Sequence, residues 1–121
     1  MTFQELNIST PILNALLDKQ YLSPTPIQQQ VIPAATSGRD ILGVAQTGTG
    51  KTAAFAIPIL DELMHAGIGK SHTIRALILT PTRELAIQID ECFGDYGKYM
   101  PLRHAVIFGG VNQNKQISQL H

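Results

Sequence analysis

The sequence predicts an α/β fold, a parallel sheet flanked by helices, on three observations. Three short apolar runs, Ile41–Ala45, Arg75–Leu79 and His104–Phe108, are bounded by turn or loop signals and suit strands buried on both faces. Between the runs, apolar residues recur at helical spacing, so strand and helix alternate, an order that implies parallel pairing with right-handed crossovers. A glycine-rich loop joins the first run directly to the helix after it.

Taken in order, Thr10-Pro11 reads as an N-cap followed by proline at the first helical position. Ile12, Leu13, Leu16 and Leu17 then mark a helix from about Pro11 to Gln20. Thr25-Pro26-Ile27-Gln28 repeats the start signal, and Val31, Ile32 and Ala35 carry a second helix to the Ser37-Gly38 stop. From Lys51 to about His65, Phe55, Ile59, Leu60 and Leu63 define a third, which Pro58 is expected to kink or interrupt before Gly67 and Gly69 close it. Leu85, Ile89, Cys92, Phe93, Tyr96 and Met100 fall at steps of three and four and predict a long amphipathic helix. Asn112 to His121 reads as a helix start without a stop signal, so the chain reads as cut rather than finished.

With 121 residues the chain has room for one domain. Its 44% apolar and 15% charged residues place it among globular rather than disordered chains. Nine basic and nine acidic side chains cancel, so a polyanion partner has to be held by local groups rather than by a global field. The lone Cys92 cannot form an internal disulfide, and Met1 to Leu16 lacks a basic stretch followed by an apolar one, which makes the cytoplasm the expected compartment. No apolar run approaches the roughly 20 residues that cross a bilayer, so no membrane partner is expected. The four histidines show no metal-ligand spacing.

Ala45-Gln46-Thr47-Gly48-Thr49-Gly50-Lys51-Thr52 fits the phosphate-binding P-loop pattern with Ala45 in place of the first glycine. The pattern needs glycines so that backbone N–H groups can turn inward on phosphate without side-chain obstruction. Lys51 is expected to bridge the β and γ phosphates and the Thr52 hydroxyl to ligate Mg²⁺, aided by the positive end of the following helix. The position between a buried run and a helix favours this reading over an incidental glycine-rich turn.

Phe3, Tyr21-Leu22-Ser23-Pro24-Thr25-Pro26-Ile27-Gln28, the P-loop, Pro81-Thr82-Arg83-Glu84-Leu85-Ala86 and Gly109-Gly110 appear in the order and spacing of the first half of a DEAD-box RNA helicase, which the whole chain resembles. Phe108-Gly109-Gly110-Val111-Asn112-Gln113 and the short lead before Phe3 are similar to the bacterial RhlE-like group. The resemblance implies part of a RecA-like P-loop NTPase domain, with a Q motif in residues 1–29, the P-loop at 45–52, motif Ia at 81–86 and a glycine doublet at 109–110. It implies ATP and Mg²⁺ as cofactors. Gln28 would read adenine through its carboxamide, Phe3 would stack on the ring, and Tyr21 belongs to the same adenine motif. By its own residues, Thr25-Pro26-Ile27-Gln28 reads equally as a capping box, and Phe3 as a packing residue. Gln20 stands where the family usually has glycine, which bears on the backbone turn into the motif.

By the same resemblance, Pro81, Thr82 and Arg83, at the start of a helix, would contact the RNA backbone, as would Gly109 and Gly110. Such contacts position a strand without reading its sequence. The alternatives are a plain helix start with a solvated Arg83-Glu84 pair, and a plain loop. The family's Asp-Glu-Ala-Asp run, its serine-alanine-threonine motif and its second RecA-like domain are not among these residues, and Asp61-Glu62 and Asp90-Glu91 fall within helices. An RNA helicase is therefore expected of the parent protein. Nucleotide binding without turnover is expected of these 121 residues alone.

Overall fold

A computed structural model describes residues 1–46, 50–66 and 74–107. A short 3₁₀ turn, Phe3–Leu6, precedes four helices: α1 (Thr10–Asp18), α2 (Pro26–Thr36), α3 (Lys51–His65) and α4 (Arg83–Tyr96). The start of α2 follows the residues that predict it, whereas α1 begins one residue earlier than expected, with Ser9 rather than Thr10 as its N-cap. Proline occupies the first turn of α1 and α2. The Thr25 hydroxyl accepts from the Gln28 N–H at 3.4 Å, and the Thr82 hydroxyl accepts from the Leu85 N–H at 3.2 Å, each satisfying an orphan donor of its helix.

Helix α3 is the centre of the packing and touches α1, α2 and α4. Its inner face, Ala53, Ala56, Ile57 and Leu60, meets Ile12 and Leu16 of α1 and Ile32 of α2 in one apolar cluster. Ile12, Leu16, Ile32 and Ile57 are fully buried. Of the kink or interruption expected at Pro58, the interruption does not occur: α3 runs unbroken through it. Proline removes one backbone donor, but Pro58 is itself buried, as are its helix neighbours Ile57 and Leu60, and burial of this face offsets that loss. Helix α4 ends at Tyr96, short of the pattern's last residue, and Met100 reaches the core from the turn beyond Gly97.

The three expected strands are a different matter, because among the described residues no strand is formed. Residues 41–46, 74–80 and 101–107 are neither helix nor strand, and Phe108 lies outside the described residues. The apolar runs predicted burial on both faces, yet Leu42 is 92% exposed and Leu79 85%. Half-buried Ala45, Ile78 and Val106 sit beside the exposed Val44, Leu77 and Ile107, so each run has a covered side and an uncovered one. An apolar run reports a preference for burial, whereas a strand also needs a neighbouring backbone to satisfy its N–H and C=O groups, and such pairing is not encoded locally.

The two ends of the first helical pair show what conformation Gln20 has to adopt. After α1, the Gln20 N–H donates to the Leu17 carbonyl and the Tyr21 N–H to the Leu16 carbonyl, both at 2.9 Å. After α2, Gly38 and Arg39 make the same pair of bonds to Ala35 and Ala34. Both are Schellman closures, whose pivotal residue is left-handed: φ is 62° at Gln20 and 86° at Gly38. Only Gln20 carries a Cβ into that conformation. Ion pairs reinforce the same corner, with Lys19 Nζ 2.8 Å from Asp95 and Lys98 Nζ 2.6 Å from Asp18. The Tyr99 hydroxyl donates to Asp18 as well, and the Lys98 and Tyr99 hydrogen bonds hold the Asp18 carboxyl below its usual range.

Gln20→Gly is expected to raise stability by about 0.5 to 1 kcal/mol, because relief of left-handed strain outweighs the added freedom of the unfolded chain. Urea unfolding of the two proteins measures it, and equal midpoints would show that the turn carries no strain.

Candidate functional site

The phosphate-loop residues divide between described and undescribed positions. Ala45 is half-buried and Gln46 exposed, while Thr47, Gly48 and Thr49 lie outside the described residues. Gly50 then caps α3 in the left-handed region with φ 88°. Lys51 and Thr52 follow as the first two helical residues, Lys51 exposed and Thr52 half-buried. The first turn of an α-helix has backbone donors with no partner inside the helix and carries the positive end of the helix dipole, so the start of α3 suits an anion.

Gln28 reaches this helix start from α2. It is 4% exposed, and its carboxamide is held at both ends. Oε1 accepts from the Thr25 N–H at 3.0 Å, and Nε2 donates to the Gly50 carbonyl at 3.2 Å. The capping box is therefore formed, and the same side chain also ties the N-cap of α2 to the N-cap of α3. A carboxamide offers two N–H donors and two oxygen lone pairs. One of each is used here, which leaves one donor and one acceptor, the pair that a bidentate reading of an adenine edge requires. Gly50 has no room for a side chain, because a Cβ would fall on Gln28 Nε2 and within 3.0 Å of Thr25 Oγ1.

The two aromatic candidates are brought together away from Gln28. Phe3 is 4% exposed and packs in the apolar core, as its packing reading has it. One edge of it, with Tyr21 and leucines of α1, lines a cavity of about 270 Å³ that Gln28 does not line. The Tyr21 ring also lies 6.5 Å from the buried Tyr96 ring, with Lys19 Nζ 5.7 Å from both. Burial pushes the Tyr96 hydroxyl well above the ordinary phenol range.

Pro81, Thr82 and Arg83 are exposed at the start of α4, where the Thr82 hydroxyl is engaged as the helix cap. Thr80 adds a bond from its hydroxyl to the Thr82 carbonyl at 3.0 Å, fixing the turn into the helix. Gly109 and Gly110 lie outside the described residues.

One contact further along α3 was not drawn from the sequence. Asp61, on the inner face of α3 and 4% exposed, accepts from the Ser9 N–H at 2.8 Å and the Ser9 hydroxyl at 2.5 Å. The available signal was an acid set into an apolar stripe, Ile57, Leu60, Asp61 and Met64, where helical spacing directs the side chain inward.

Gly38 and Gly50 separate conformation from contact. Both are left-handed, but a Cβ at Gly38 meets nothing within 4 Å. Gly38→Ala is expected to cost about 1 kcal/mol, and Gly50→Ala at least about 1 kcal/mol more, since Gln28 must be displaced. Equal losses in chemical unfolding would mean that the Gln28–Gly50 contact is slack.

The family described as DEAD/DEAH box helicase matches residues 25–121. An ATP-dependent rRNA helicase RRP3 from Candida albicans is 48% identical over 119 residues, covering 98% of this chain and 22% of the relative. A DEAD-box ATP-dependent RNA helicase RhpA from Helicobacter pylori is 43% identical over 115 residues, covering 95% of this chain and 22% of its own length. The chain thus spans less than a quarter of these relatives. Among solved structures, a DEAD box protein from Methanococcus jannaschii superposes with a TM-score of 0.89 at 42% identity, over 99% of this chain and 32% of that one. The RNA helicase Prp28 from Chaetomium thermophilum, solved bound to ADP, gives 0.86 at 36% identity, over 96% and 28%.

Proposed function

The chain belongs to the DEAD/DEAH box helicase family, and on that premise we propose that it holds ATP with Mg²⁺ and contacts the RNA backbone as part of an ATP-dependent RNA helicase. The observation that carries this reading is the Gln28–Gly50 bond, which joins the residue suited to adenine to the helix start suited to phosphate. In the proposed site, Gly50, Lys51 and Thr52, with Ala45 to Thr49 before them, take the phosphates. Lys51 neutralises the β and γ charges, and the Thr52 hydroxyl ligates Mg²⁺. The remaining donor and acceptor of Gln28 take the adenine edge, discriminating against guanine because the guanine edge offers only acceptors there.

Phe3 and Tyr21 belong to this proposal as the apolar wall for the base, which in Phe3 requires its ring to present a face that the core now covers. Pro81, Thr82 and Arg83 are proposed to take RNA phosphate at the start of α4, with Gly109 and Gly110 on the same strand. The finer architecture, a RecA-like domain in which the three apolar runs pair as a parallel sheet, is also proposed. Its support is the uncovered apolar side that each run retains. RRP3 and RhpA are described as ATP-dependent helicases, and Prp28 was solved with ADP, which favours adenine over other bases at this site.

In an ATP-dependent RNA helicase, ATP held by Gly50, Lys51, Thr52 and Gln28 would supply the energy for opening RNA. Residues 1–121 contain no Asp-Glu-Ala-Asp run, so the chain alone is proposed to bind nucleotide without turning it over.

Lys51→Ala is expected to weaken ATP binding by at least tenfold, or about 1.4 kcal/mol, while leaving adenosine binding unchanged. Gln28→Ala is expected to bring the ATP and GTP affinities together. Calorimetric titration with the three ligands checks both. Parallel losses for ATP and adenosine in Lys51→Ala, or an unchanged ATP-to-GTP ratio in Gln28→Ala, would contradict the assignments.

A further inference from the structure

We propose that Asp61 is a positioning residue for the nucleotide site: by accepting from Ser9 it fixes the axial register of α3 against the N-terminal helices, and so the placement of Lys51 relative to Gln28. The inference rests on the ATP-binding reading of the site and adds a residue about three turns away from it.

The first observation is an internal carboxylate with an unusual partner. Asp61 is 4% exposed on the packed face of α3, where an aliphatic residue would serve the core better. Its nearest cation candidate, the His65 ring, is largely exposed, with Nδ1 3.4 Å from the carboxylate and 2.8 Å from the Asp61 carbonyl. The inward oxygen is given wholly to Ser9, 52 positions earlier, through two bonds at 2.8 and 2.5 Å.

The second observation is on the other side of that contact. Ser9 is the N-cap of α1, yet its hydroxyl makes no cap bond to its own helix and donates to Asp61 instead. A serine that leaves its usual capping role, opposite an acid placed in an apolar face, identifies a specific polar junction rather than incidental surface contact.

The consequence follows from where the junction lies. The apolar seam between α3 and α1 or α2 is non-directional and tolerates small axial slips. Two polar pins, Gln28 at Gly50 and Ser9 at Asp61, hold α3 near both ends against residues that precede it in the chain. Buried polar pairs are best attested as devices that set register. With one pin removed, α3 can shift or tilt about the other. The base reader and the phosphate grip then no longer fit one rigid ligand, although each still accepts its own half.

The test is calorimetric titration of the 121-residue chain and three variants, Asp61→Ala, Asp61→Asn and Ser9→Ala, with ADP and with inorganic pyrophosphate. Pyrophosphate uses the phosphate grip alone. Asp61→Ala and Ser9→Ala are expected to lose affinity for ADP on the order of tenfold and threefold respectively, with pyrophosphate affinity unchanged in both. Asp61→Asn, which keeps an acceptor oxygen for Ser9, is expected to stay within about threefold of the parent for ADP. ADP affinity of Asp61→Ala equal to the parent's, or ADP and pyrophosphate affinities falling together as they would for general destabilisation, would overturn the proposal. If Asp61→Ala does not fold, the same ratio measured in Ser9→Ala decides. A parent chain that fails to bind ADP at all would instead overturn the nucleotide reading on which the proposal rests.

Discussion

The arrangement of the molecule depends on how the first turn of α3 is held. Gly50 must be left-handed to turn the chain into the helix, and it must lack a side chain because the Gln28 carboxamide occupies that space. Gln28 is in place only because the Thr25 cap fixes the first turn of α2, and α2 is in place because Ile32 is buried against α3. Each condition is weak alone, with a cap or a neutral hydrogen bond contributing about 1 kcal/mol. Together they make the N-terminal end of α3 the point where two helix starts and the apolar core meet.

This convergence gives one side chain two duties that appear as rivals when read from sequence. As the third helical residue after Thr25, Gln28 is a capping residue, and as a half-used carboxamide beside a phosphate-suited helix start it is the base reader we propose. The geometry removes the conflict, since the cap takes one lone pair, the Gly50 carbonyl takes one N–H, and a complementary pair remains.

The helices were legible because their signals are local: Pro11, Pro26, Thr25 and Thr82 announce starts, and Gly38 announces an end. The departures have physical causes. Pro58 obeys the core rather than its own propensity, because burial of its face of α3 outweighs one lost backbone donor. The runs at 41–45 and 75–79 signal a wish for burial, while pairing depends on non-local backbone partners that no local pattern specifies. Within the site, Gly50, Lys51 and Thr52 were readable from spacing, and Thr25 with Gln28 from the capping pattern. The contact between Ser9 and Asp61 was hidden by its separation along the chain, and the burial of Phe3 by the fact that a terminal aromatic carries no periodic signal.

The account stands on Gln28 joining base recognition to the phosphate-facing helix. Its most direct test is nuclear magnetic resonance of the ¹⁵N-labelled chain, following the two Gln28 side-chain N–H signals during titration with ADP and then with GDP. Hindered rotation about the amide bond gives the two protons separate signals, one of them bonded to Gly50, and ADP is expected to shift the second, unengaged N–H strongly while GDP leaves it nearly unmoved. Equal shifts with both nucleotides, or none with ADP at saturation, would contradict the account.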